Sequence, residues 1–133
     1  AVAGRAHARV AAGDLTTARA DFDLALTLAR RAGAQVVQAG AHLGLAGLAR
    51  LTGDHGDARS HCDQAWELTP GGWYSPDEMR CHIALERGRV AKAAGDLGEA
   101  RTHFEDALRR AVKQRNLVTG TVVRAELDAL SAP

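Results

Sequence analysis

Six histidines, two cysteines and sixteen carboxylates are the groups in this 133-residue chain with the reactivity for catalysis or metal binding. His61-Cys62 and Cys81-His82 come nearest to a metal-ligand set. Adjacent residues on a helix point about 100° apart, so neither pair chelates easily, and neither has the spacing of a zinc knuckle. We expect no metal there, and read Cys62 and Cys81 as buried, reduced thiols facing each other across a helical hairpin. Asp21 with Asp23, and Glu105 with Asp106, are neighbouring carboxylates that fan outward at helical spacing, as solvated faces do. No phosphate-binding loop, dinucleotide glycine fingerprint, nucleophile elbow or His-Glu-x-x-His helix occurs, and serines number three. The sequence thus points to no catalytic residues, no cofactor and no enzyme activity in this segment.

Charge narrows the partners further. Seventeen Lys and Arg balance sixteen Asp and Glu to a net +1, which excludes the basic footprint of a nucleic-acid binder. The uncharged stretch 32–49 approaches the length of a membrane span but holds Gln35, Gln38, His42 and four glycines, so it reads as a helix in water. Met79 is the only methionine, and no charged-then-apolar leader opens the chain. We expect a piece of a longer protein, in the cytoplasm by its reduced thiols.

The elements that position these groups follow from periodicity. Apolar residues recur at three and four, aromatics are 4% of the chain, and proline occurs three times, so the fold class is all-α. The spacing predicts helices at about 2–12, 14–31, 35–52, 54–69, 76–94, 96–114 and 117–130. One pattern appears three times: Gly13-Asp14 with Ala18-Arg19 and Ala25-Leu26; Gly53-Asp54 with Ala58-Arg59 and Ala65-Trp66; Gly95-Asp96 with Ala100-Arg101 and Ala107-Leu108. The glycines lie 40 and 42 residues apart. Glycine supplies the left-handed residue that ends one helix, and aspartate caps the next. Two alanines seven apart share a face and let the partner helix approach. Trp66 follows the column of Leu26 and Leu108 and is expected between repeats. In the loop 70–78, Ser75, Pro76 and Glu78 predict a capping box, stapled by Tyr74 and Met79, with Trp73 either covering the hairpin or standing out as a protein-binding anchor.

The small residue in each first helix (Ala6, Ala46, Gly88), the Gly-Asp turn, the alanine pair and Pro70 after one second helix resemble the tetratricopeptide repeat. The resemblance covers nearly the whole chain, and its long period is similar to the repeat arrays of bacterial LuxR-type and antibiotic-regulatory transcription activators. Where the family carries first-helix aromatics, this chain has Val2, His42 and Ala84. The resemblance implies a right-handed α-solenoid of about seven helices in one domain spanning 1–133, with repeats at about 1–33, 34–75 and 76–116 and a terminal helix at 117–130.

It also implies a concave groove lined by first helices. Carried onto this sequence, the groove columns fall on His7, Val10, Gly40, Leu43, Gly44, Gly47, Arg50, Leu51, His82, Leu85, Glu86, Arg89 and Lys92, with Arg124 continuing the stripe. The partner-binding set is Leu43, Gly44, Gly47, Arg50, His82, Leu85, Arg89 and Lys92. Its cations suit either an acidic peptide or helix, with Leu43 and Leu85 meeting apolar side chains, or simply a solvated helix face. Gly40, Gly44 and Gly47 share a stripe that serves either close helix packing or a shallow ligand floor. The family's carboxylate clamp is absent, because its positions hold Leu43, Gly47 and Leu85 and the chain's sole Asn is Asn116. The expected function is non-catalytic protein or peptide recognition within a bacterial regulatory protein. Effector sensing for a transcription regulator and structural homodimerisation are the alternatives, with neither nucleic acid nor membrane contacted.

Overall fold

The structure is a computed structural model and describes residues 2–11, 13–69 and 77–132. The described residues form seven helices and no strand: α1 (Val2–Ala11), α2 (Leu15–Ala32), α3 (Gln35–Leu51), α4 (His55–Glu67), α5 (Asp77–Ala93), α6 (Leu97–Lys113) and α7 (Leu117–Ser131). All seven coincide with the expected helices to within a turn. The Trp73, Tyr74, Ser75 and Pro76 readings lie outside the described residues. No helix among those described is long and apolar enough to cross a membrane.

Three turns repeat one geometry. Gly13, Gly53 and Gly95 sit at φ 81°, 82° and 85°, where a Cβ would be strained. The next residue's N–H then reaches five residues back: Asp14 to the Arg9 carbonyl at 2.8 Å, Asp54 to Ala49 at 2.8 Å, and Asp96 to Ala91 at 2.9 Å. Each aspartate accepts a hydrogen bond from the N–H three residues on: Thr17 at 3.2 Å, Asp57 at 3.1 Å and Glu99 at 3.1 Å. The α2–α3 and α6–α7 turns close with the same five-residue bond, Ala34 to Ala29 and Asn116 to Ala111, both 2.9 Å. In the latter, Arg115 holds φ 55°, the one non-glycine residue with positive φ among those described.

The chain divides into two compact units, Ala1–Thr69 and Pro70–Pro133. In the first, each helix from α1 to α4 packs on its neighbour in sequence; in the second, α6 packs on both α5 and α7. Both alanine columns are buried in all three hairpins: Ala18, Ala58 and Ala100, and Ala25, Ala65 and Ala107. Side chains this small bring helix axes close. The core of the first unit gathers Phe22, Leu26, Leu45 and Leu48, and that of the second Leu85, Phe104 and Val123. Nine residues after each turn glycine stand Phe22, Cys62 and Phe104, all at most 1% exposed.

Candidate functional site

The expected groove residues fall into different environments. On α3, Leu43, Gly44, Gly47 and Arg50 are half-buried. A Cβ on Gly44 would lie 2.3 Å from Phe22 Cε1, so this glycine makes room for a ring of α2 and is not a ligand floor. On α5, His82 and Arg89 are half-buried and Lys92 is exposed. Leu85 is only 6% exposed and belongs to the core of its unit. Its assignment as an apolar contact for a partner is therefore corrected: α5 buries Ile83, Ala84, Leu85 and Glu86 in succession, leaving no open apolar stripe there. Trp66 is half-buried on α4.

Two predicted cations do meet a carboxylate. Arg89 Nε lies 3.4 Å from Glu126 Oε1, and Lys92 Nζ lies 3.2 Å from Glu126 Oε2. Residues 89 and 92 share a face of α5 by their three-residue spacing, and α7 lays Glu126 between them. Elsewhere in this unit, Asp77 at the start of α5 pairs with Arg110 at 3.7 Å and Lys113 at 3.8 Å, cations in the last turn of α6.

The expected solvated carboxylates divide. Asp23 and Glu105 are exposed, and Asp106 bonds Arg109 at 2.8 Å and Arg110 at 3.2 Å. Asp21 is only 7% exposed, which corrects its reading as a solvated face. Arg5 holds its Oδ1 at 3.4 Å and Arg9 approaches Oδ2 to 3.0 Å, so α1 supplies the charge that lets a carboxylate be buried.

The polar cluster that the sequence did not disclose lies in the α3–α4 hairpin. His42, eleven residues before Gly53, is 3% exposed, and its Nδ1 stands 3.0 Å from Nδ1 of His61, eight residues after that glycine. His61 Nε2 is 3.6 Å from Asp57, and Asp57 is 3.9 Å from Arg19 of α2. Burial, then the neighbouring His61, then Arg30 lower the pKa of His42 to about 4, so it is neutral at pH 7. His42 also borders a surface cleft of ≈ 590 Å³ whose rim includes Arg30, Arg59, Ser60, Asp63 and Glu67.

The ring geometry decides what the pair does. The centroids are 5.2 Å apart with the nitrogens at 3.0 Å, so the two nitrogens point almost straight at each other. An ion held at the usual ~2.0–2.1 Å from both would stand off the line joining them, with each lone pair turned toward the ion and, at a tetrahedral angle, the nitrogens spread to about 3.3 Å. The observed arrangement is that of one N–H donating to one lone pair. Among the described residues, no group of three His, Cys, Asp or Glu side chains is placed to hold a metal.

Cys62 and Cys81 are both buried, unbridged thiols. Cys81 Sγ donates to the Ala107 carbonyl at 3.3 Å across the α5–α6 hairpin. Burial raises its pKa, with Arg110 opposing and Asp106 and Glu78 adding to the rise, so it stays a thiol.

No known protein family matches this chain, and no match is found among curated proteins.

Proposed function

We propose that this chain is a non-catalytic recognition module built from three tetratricopeptide-like hairpins and a final helix, stacked as a right-handed solenoid, and that it binds an acidic peptide or helix. The observation that carries the reading is the threefold repetition of one turn, with the same φ, cap and five-residue bond, while the side chains between the turns vary. A constant backbone carrying variable faces is how repeat proteins build recognition surfaces.

Arg89 and Lys92 give the proposal its chemistry. They already grip one carboxylate, that of Glu126, in the fashion an acidic ligand would require. Such a ligand competes with Glu126 for the two cations. Titration of the full chain with amphipathic helical peptides bearing Glu and Leu, against their Lys-substituted counterparts, tests this. Binding restricted to the acidic peptides, weakened by salt, lost in Arg89→Glu and strengthened severalfold in Glu126→Gln supports the reading. Equal affinity for both peptide sets, unaffected by salt, overturns it.

A further inference from the structure

The His42–His61 contact joins α3 to α4 through two groups that, as free side chains, titrate near neutrality. We propose that the α3–α4 hairpin is a proton-sensitive clasp, fastened by one proton lying between the two Nδ1 atoms and unfastened when a second proton enters that gap.

Proton bookkeeping sets the conditions. Asp57 beside His61 Nε2 favours the proton on that nitrogen, leaving His61 Nδ1 as a lone pair that accepts from His42 Nδ1–H. If His61 becomes charged, His42 keeps the bond by carrying its own proton on Nε2 and accepting at Nδ1. When both rings are charged, two N–H groups and two positive charges confront each other across 3.0 Å, and no lone pair remains to join them. The charged groups facing the pair are Arg30 and Arg19 from α2 and Asp57 from α4, with Arg59, Asp63 and Glu67 of α4 on the cleft beside His42. Arg30 adds to the repulsion, and Asp57 is already shared with Arg19.

The sign of the effect follows from burial. His42 holds its proton less readily in the closed hairpin, at a pKa of about 4, than in an open chain, at 6.5. As pH falls, the open form takes up that proton first. The clasp is at full strength above 6.5, weakens toward 4, and loses nothing more below that. One proton per opening event allows up to roughly a tenfold change per pH unit, or about 100-fold over two units.

The α5–α6 hairpin is the internal control, because the positions matching His42 and His61 there are Ala84 and His103, and His103 pairs with Glu99 of its own helix at 3.5 Å. Hydrogen-exchange protection factors of α4 and α6 amides, measured on the full chain from pH 7 to pH 4.5, test the clasp. We expect α4 protection to fall by one to two orders of magnitude more than that of α6, and the excess to vanish in His42→Asn, whose side-chain amide can meet His61 without titrating. Parallel loss in α4 and α6 overturns the proposal, as does full acid sensitivity in His42→Asn. Should that variant not fold, the wild-type comparison of the two helices decides alone.

Discussion

The α3–α4 and α5–α6 hairpins share a turn, an aspartate cap and two alanine columns, yet they fill the space between their helices differently. In α5–α6, Phe104 lies against Gly88, where a Cβ would stand 2.4 Å from the ring. In α3–α4, the position of Phe104 holds Cys62, that of Gly88 holds Ala46, and the helices are joined instead by His42 and His61. The backbone repeat thus tolerates two kinds of interior. A ring over a glycine gains from apolar burial and is indifferent to protons. A hydrogen-bonded imidazole pair buries less apolar surface and ties the hairpin to pH.

Removing what fills each interior separates the two most strongly. Phe104→Ala should cost about 3–5 kcal/mol, the usual penalty for emptying a fully buried aromatic site, whereas Cys62→Ala should cost about 1 kcal/mol. Urea unfolding of both variants reads the difference. Equal losses would mean that Phe104 does not organise its hairpin.

Filling the glycine is the next test. Gly88→Ala drives a methyl into Phe104 at Cε1, Cδ1 and Cγ, near the base of the ring, where a simple swing of the side chain gives no relief. We expect a net loss of about 2 kcal/mol after the roughly 1 kcal/mol that alanine returns in helix propensity. Phe104→Leu should relieve part of that loss, so the double variant should be less destabilised than the sum of the two single changes.

Part of this contrast was legible in the sequence. The three Gly-Asp turns placed one end of each helix from α1 to α6, because a left-handed glycine followed by a capping aspartate has one structural meaning wherever it recurs. The alanine columns placed the buried faces for the same reason. The histidine pair was not legible: its members lie 19 residues apart on opposite sides of a turn, and His61 beside Cys62 drew attention to the wrong neighbour. Pairing residues by their distance from Gly53, eleven before and eight after, would have offered the signal. Leu85 was misplaced because groove columns assume an open inner face, whereas α5 is covered on more than one side. Asp21 was misplaced because its cations, Arg5 and Arg9, come from another helix.

The smallest expected effect concerns the turns between hairpins. Gly33 enters the left-handed region without cost, but Arg115 does so at φ 55° with a full side chain. Arg115→Gly should stabilise the chain by about 0.5–1 kcal/mol, the relief of strain outweighing the added freedom of the unfolded chain. Thermal unfolding would register it as a rise of a few degrees. A fall would show that the Arg115 side chain contributes more than its backbone conformation costs.

The difference between the two interiors rests on a proton held between two nitrogens 3.0 Å apart. Nitrogen-15 spectra of the labelled full chain at pH 7 test it most directly. We expect one of the two Nδ1 atoms to be protonated and a scalar coupling to pass from it across the hydrogen bond to the other. Two unprotonated Nδ1 atoms with no coupling between them would contradict the account.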